Sequence, residues 1–280
     1  MNIIKLIKKS FYFAILIFCL ITLPGISQDS NFVLQKVIPF QTVDFSLNKI
    51  GELFLINQSN ELKKIDSKGD SIGVYNEVSK YGKLSSVNAE NPFRTLLFYK
   101  DFSTLILLDK YLNEVSNINL RKANIFQVNV VTSSFDNNIW LFDGQEQKLK
   151  KIDETGKLLL ESTDFRQIFN MAISPVALKE KEGGLFLYDP LHGMFIFDHY
   201  GSFKKKILFI GWLGFEVSGN SIYGFDGKYI YQYTLGSMDV HKINLPSGPY
   251  PYSSFQIVNN KIYLLSHGSI SYFQMGKTLL

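Results

Sequence analysis

Four histidines, one cysteine and a scattered set of carboxylates are the side chains of this 280-residue sequence that could do chemistry. A zinc site needs three or four convergent ligands, and the zinc-binding spacings HxE and HExxH are absent. His192 and His199 flank one predicted strand, so we expect them at its opposite ends. The sequence also lacks a GxSxG nucleophile elbow and a P-loop. We therefore predict no catalytic residue, no metal site and no cofactor.

Two aromatic-rich segments are candidate binding loops. "GPYPYSSF" (248–255) contains Tyr250 and Tyr252 beside two prolines that stiffen the chain, and "IGWLGF" (210–215) contains Trp212. Each segment precedes a predicted strand at a corresponding place. Rigid aromatic side chains on loops are typical binding anchors. Packing between neighbouring structural units is the alternative, and the sequence leaves it open.

A repeat with a period near 40 residues positions these loops. "LKKIDSKGD" (62–70) and "LKKIDETGK" (149–157) are its most similar parts, and six units follow one another along the chain. Each unit has apolar strands joined by short turns, and the anchor residues of successive units are 37 to 46 positions apart. Several strands per unit at this period indicate the blades of a β-propeller. The helical spacing that an α-solenoid requires is missing, also from residues 160–175.

The turns and the chain ends support six blades. An aspartate opens three turns and a glycine takes their fourth position, at Asp66–Gly69, Asp153–Gly156 and Asp198–Gly201, which predicts tight hairpins with structural aspartates. The sixth unit lacks an outer strand, whereas an unassigned strand at residues 32–39 precedes the first unit. We predict that this N-terminal strand completes the last blade and closes the ring.

Some of these motifs resemble a known family. "FIFDHYGSFKKKI" and "KKIDETGKLLLE" are similar to the hairpin between the third and fourth strands of six-bladed NHL-like propellers, in the TolB-like superfamily. Such propellers include calcium-dependent hydrolases and lactonases that use Glu, Asn and Asp at the channel mouth. Candidates for such a set lie on or near predicted inner strands: Asp44, Asn88, Glu90, Asn129 and Glu216. Polar residues that only line a solvated channel are the alternative.

The N-terminus predicts export. Three lysines precede an apolar run, 11–23, that is shorter than the roughly 18 residues needed to span a membrane, and small residues precede Gln28. This arrangement is typical of a signal peptide over residues 1–27, with an uncleaved amphipathic anchor as the alternative. Cys19, the only cysteine, would leave with it, so the mature chain would have no disulfide. Without Lys5, Lys8 and Lys9, 26 basic residues face 25 acidic ones, which gives no electrostatic footprint for nucleic acid.

The sequence thus predicts an all-β protein: a six-bladed β-propeller over residues 28–280, closed by its N-terminal strand. We expect an exported bacterial protein located in the periplasm, at the outer membrane or on the cell surface. The predicted function is non-enzymatic binding or scaffolding, with an envelope protein or outer-membrane complex as partner and no transmembrane segment in the mature chain. The alternatives are a metal-dependent hydrolase or lyase and a carbohydrate binder that uses the Tyr250/Tyr252 loop.

Overall fold

The computed structural model describes residues 32–237, 239–246, 248 and 251–276. It contains six four-stranded antiparallel sheets. Inner strands of successive sheets contact one another around a central channel, so the sheets are the six blades of a β-propeller. The predicted fold is confirmed. The predicted signal peptide, residues 1–27, lies outside the described residues.

Each blade runs from an inner strand at the channel to an outer strand at the rim. Blade 1 comprises β2 (Thr42–Leu47), β3 (Leu53–Asn57), β4 (Leu62–Ile65) and β5 (Ser71–Tyr75), and blade 2 comprises β6 (Ser86–Asn91), β7 (Arg94–Tyr99), β8 (Thr104–Asp109) and β9 (Glu114–Asn119). Blade 3 comprises β10 (Val128–Ser133), β11 (Ile139–Asp143), β12 (Lys148–Ile152) and β13 (Leu158–Glu161), and blade 4 comprises β14 (Ala177–Lys181), β15 (Gly184–Asp189), β16 (Gly193–Asp198) and β17 (Phe203–Ile207). Blade 5 comprises β18 (Gly214–Ser218), β19 (Ser221–Phe225), β20 (Tyr229–Thr234) and β21 (Val240–Asn244), and blade 6 comprises β22 (Ser254–Val258), β23 (Lys261–Ser266), β24 (Ser269–Met275) and the N-terminal β1 (Phe32–Ile38).

The N-terminal strand closes the ring as predicted. β1 pairs antiparallel with β24, from Phe32 opposite Met275 to Ile38 opposite Ile270. The Phe32 ring is buried and meets Phe273 edge-on. We call the end of the ring at which the chain enters each inner strand the upper end. Phe32 and Met275 both lie at the opposite, lower end, since β24 begins at the upper turn after His267.

Apolar residues of adjacent blades form the core. Between blades 3 and 4, Trp140 and Phe142 belong to the same buried cluster as Leu185 and Phe195. Two short helices in the connecting loops, α1 (Val78–Tyr81) and α2 (Phe165–Phe169), were not expected from the sequence. Phe165 is fully buried, so α2 caps this blade junction rather than forming an independent element.

The repeated aspartates hold the predicted hairpin turns. Asp66 Oδ1 accepts hydrogen bonds from the backbone N–H groups of Lys68, Gly69 and Asp70. Asp153 and Asp198 accept equivalent backbone hydrogen bonds in blades 3 and 4. The glycines of these turns have φ values between +84° and +103°, a region that glycine enters without steric cost. These aspartates therefore stabilise the hairpin turns, as predicted.

Candidate functional site

The Trp212 loop enters blade 5 at the upper end, as expected, but its ring points inward. The ring stacks on Phe209 with centroids 4.3 Å apart, and the backbone N–H of Trp212 donates to the Tyr188 hydroxyl at 2.7 Å. Gly224 lies directly beneath the indole, where any side chain would overlap the ring. Only 5% of Trp212 is exposed, because it fills the space between blades 4 and 5.

Tyr252 is buried as well. It is 2% exposed, and its hydroxyl donates to the carbonyl oxygen of Pro246 at 3.3 Å. Tyr250 lies outside the described residues. The rings of Trp212 and Tyr252 therefore both serve the packing that the sequence left open as the alternative to binding. A binding role for the three aromatic residues stays a prediction.

The loop that Trp212 anchors presents aliphatic side chains instead. Leu208, Ile210 and Leu213 are 74%, 52% and 61% exposed, and Leu191 on the adjacent turn of blade 4 is 79% exposed. We call these four residues the upper apolar patch. The sequence signal for the patch is "LFIGWLGF" (208–215), which has no charged or hydrogen-bonding side chain except the Trp212 indole. Sequence reasoning favoured the aromatic residue and missed its exposed neighbours.

Backbone hydrogen bonds hold the patch in place. Gly211 N–H donates to the Pro190 carbonyl at 3.0 Å, which joins the loop to the turn that carries Leu191. Leu213 N–H donates to the Phe225 carbonyl in blade 5 at 2.7 Å. The loop therefore has fixed contacts on both sides, and its apolar side chains project from a rigid base.

The inner strands supply a chain of ion pairs across the channel. Glu216 of β18 is 2% exposed and lies 2.8 Å from Lys179 Nζ and 3.5 Å from Lys181 Nζ, both on β14. Lys181 Nζ continues to Glu90 of β6 at 3.3 Å. This chain links blades 2, 4 and 5 and lies between an upper cavity of about 520 Å³ and a lower cavity of about 820 Å³.

Hydrogen bonds made on or just after the inner strands connect other pairs of neighbouring blades. They join Leu47 N to Gln256 Oε1, Ala89 N to Ser46 Oγ, Asn88 Nδ2 to Thr132 Oγ1, and Phe135 N to Glu180 Oε2. Several polar side chains of the channel therefore act as cross-links between blades. Buried polar groups need such partners because an unpaired one costs free energy.

The five polar residues that the sequence suggested for the channel lie on the inner strands, as expected, but they make different contacts. Asn88 donates a hydrogen bond to Thr132 of blade 3, and Glu90 and Glu216 form ion pairs with lysines. Asn129 Oδ1 lies in the space left by the missing side chain of Gly144. Burial raises the pKa of Asp44 despite the hydrogen bond from Phe45 N–H and the nearby charge of Lys179.

No group of three or more His, Cys, Asp or Glu side chains that could hold a metal ion occurs among the described residues. The two lysines neutralise Glu216, the most buried of the channel carboxylates. His192 and His199 lie at opposite ends of β16, and His241 and His267 lie on blades 5 and 6. Within the described part of the chain, no helix is long and apolar enough to span a membrane.

The comparisons with known proteins show that this chain is similar to others in structure alone. No family model and no curated protein sequence matches the chain. Virginiamycin B lyase from Staphylococcus aureus aligns with a TM-score of 0.60 and 13% identity, over 83% of this chain and 80% of the lyase. PorZ of Porphyromonas gingivalis, described as a surface component of the type-IX secretion system, aligns with a TM-score of 0.55 and 11% identity, over 84% of this chain and 31% of PorZ. The shared feature is the propeller fold. An enzyme and a secretion component are both among these neighbours, so the fold alone assigns no activity.

Proposed function

We propose that this protein is an exported binding propeller of the bacterial envelope that holds a protein partner on its upper apolar patch. The observation that carries the proposal is the exposure of Leu191, Leu208, Ile210 and Leu213 on one rigid surface. Contiguous exposed apolar side chains of this kind mark interaction sites on soluble proteins. A partner that covers them would remove apolar area from water without reordering the loop.

The position of the chain ends is compatible with this use of the upper end. The described chain begins at Phe32 and ends near Met275, and these residues are paired at the lower end of blade 6. Phe32 therefore lies on the side of the ring away from the patch. PorZ shows that a propeller of this shape occurs in an envelope assembly, but its 11% identity extends to the fold alone.

Site-specific photo-crosslinking in the native host tests the proposal. A photoreactive phenylalanine analogue placed at Leu191 or Leu213 should yield a crosslink to one defined envelope protein, which mass spectrometry identifies. The matched control positions are Tyr111 and Val115, both 62% exposed on blade 2. Crosslinks of equal yield from patch and control positions, or none from the patch, would contradict the proposal.

A double substitution tests the contribution of the patch to binding. Leu191→Ser with Leu213→Ser should release the crosslinked partner and leave the melting temperature within about 2 °C of wild type, because exposed side chains contribute little to folding stability. Tyr111→Ser with Val115→Ser should retain the partner. If the patch variant still binds the partner, the proposal is wrong.

The enzyme alternative makes a different prediction. A metal-dependent hydrolase or lyase would purify with stoichiometric calcium or another divalent ion and would turn over an ester or lactone. Elemental analysis and a lactonase assay on the mature protein separate the two functions. The carbohydrate-binder alternative depends on the loop that contains Tyr250, so Tyr250→Ala tests it by loss of glycan binding.

A further inference from the structure

A groove at the rim of the ring, between blades 2 and 3, has a cavity of about 770 Å³. One wall comes from β9 and the loop after it, and the other from the hairpin turn of residues 153–157. We call this cavity the lysine groove. It is separate from the upper apolar patch and from the channel.

The turn of blade 3 lies directly against blade 2. Gly156 has φ +87°, and a Cβ at this position would lie 2.9 Å from Ile118 Cγ2 and 3.7 Å from Ala123 Cβ. In the equivalent nonapeptide of blade 1, a Cβ on Gly69 would meet nothing within 4 Å. The close approach thus distinguishes the blade 3 nonapeptide from its blade 1 copy, and it forms one wall of the groove.

The lining of the groove is positively charged. Lys80, Lys122 and Lys157 line it, and none of its lining residues is a carboxylate. Among the described residues none of these three lysines forms an ion pair, although Glu77 and Glu114 lie near Lys80 and Asp153 lies near Lys157. Glu154 pairs with Arg94 at 2.8 Å, and Glu114 accepts from Tyr81 and Asn117. The lining itself therefore carries three positive charges and no negative one.

Other side chains complete the lining. The amides of Asn117 and Asn119 lie on β9, and Phe102 adds a half-exposed aromatic surface. Lysine ammonium groups bind tetrahedral oxyanions as point charges and do not need the planar geometry that arginine offers to carboxylates. The three lysines of the groove lie on three different elements: α1, the loop after β9 and the hairpin turn of blade 3.

We propose that the lysine groove binds a phosphate or sulfate ester, with the oxyanion contacted by Lys80, Lys122 and Lys157 and the carbon skeleton against Phe102. The shared chemistry is a multiply charged tetrahedral oxyanion. Its source is either a soluble phosphorylated molecule or a lipid headgroup, and these two are distinguished by experiment.

Calorimetric titration of pyrophosphate into the mature protein at low ionic strength tests the soluble form. Co-sedimentation with phosphatidylglycerol vesicles, compared with phosphatidylcholine vesicles, tests the lipid form. We expect binding in at least one arm, weakened by added NaCl because screening reduces the attraction. Lys122→Gln with Lys157→Gln should lower this affinity at least tenfold at an unchanged melting temperature.

The matched control is Lys68→Gln with Lys228→Gln. It changes the net charge by the same amount, and Lys68 occupies the blade 1 copy of the repeat. Gly156→Ala should also weaken binding, whereas Gly69→Ala, with a similar backbone conformation but no neighbour, should not. Equal losses in the groove and control lysine variants would mean non-specific attraction and would overturn the proposal. So would the absence of binding to both probes.

Discussion

Glu216 Oε1 lies 2.8 Å from Lys179 Nζ, and this ion pair joins blade 5 to blade 4 inside the channel. Glu216 is 2% exposed and also meets Lys181, so one carboxylate pairs with two largely buried ammonium groups. Removing one partner of a buried ion pair leaves an uncompensated charge in a low-dielectric site, which is strongly destabilising.

Glu216→Gln should therefore lower the free energy of unfolding by about 3–5 kcal/mol. Urea denaturation of the mature protein measures it. The control is Lys204→Gln, which removes an ion pair between Asp198 and a lysine side chain that is 57% exposed, and which should cost about 1 kcal/mol or less. If the two variants lose similar free energies of unfolding, the channel ion pair contributes no more stability than an exposed one.

Asp44→Asn should stabilise the protein at neutral pH. Burial raises the pKa of Asp44, so ionising this carboxyl costs free energy in the folded state. The amide oxygen of asparagine can still accept the hydrogen bond from Phe45 N–H. We expect the melting temperature at pH 7–8 to rise by about 2–4 °C, corresponding to roughly 1 kcal/mol.

The pH dependence gives this prediction a second readout. The cost of ionising Asp44 is present above its folded pKa and vanishes once the carboxyl is protonated in both states. The difference in stability between Asp44→Asn and wild type should therefore shrink as the pH falls. The control Asp101→Asn changes an exposed carboxyl instead and should leave the stability at pH 7 close to that of wild type. A variant less stable than wild type at pH 7 would contradict the argument.

The nonapeptide that occurs twice encodes more than a turn. Lys64 in the first copy lies 2.8 Å from Glu52 and over the ring of Phe54. At the same place in the second copy, Lys151 lies 2.6 Å from Asp136 and over Trp140. The sequence predicts the turn because Asp and Gly act locally. It does not predict these pairs, because each carboxylate comes from a turn 12 to 15 residues earlier.

Features that depend on local sequence are predictable, whereas contacts between distant segments are not. Blade number, strand positions and closure follow from a repeated local pattern and were predictable from it. The meeting of Glu90, Lys181 and Glu216 depends on the ring bringing blades 2, 4 and 5 together, so no local signal indicates it. Trp212 was placed on the correct loop, but the direction of its ring depends on the missing side chain at Gly224.

The mature protein should begin at or near Gln28 and lie outside the cytoplasm. The basis is the order of lysines, apolar run and small residues in the first 27 positions. Intact-mass spectrometry of the protein isolated from fractions of its native host measures the N-terminus and the location together. A full-length species in the cytosolic fraction would contradict export, and a full-length species in the membrane fraction would favour the uncleaved anchor.

The N-terminal strand should contribute far more stability than its exposed sequence suggests. β1 supplies the outer strand of blade 6 through six paired positions with β24, and its removal would leave the edge of β24 unpaired. A mature chain that starts at residue 41 should melt many degrees below one that starts at residue 28. Val37→Ser is the matched control, because this half-exposed side chain lies on the same strand and its loss leaves the backbone pairing intact. Phe32→Ala should fall between the two, because it removes a buried ring that packs on Phe273 but keeps the strand. If the truncated protein melts within a degree or two of the intact one, β24 does not depend on β1 and the ring is held closed by the inner strands alone.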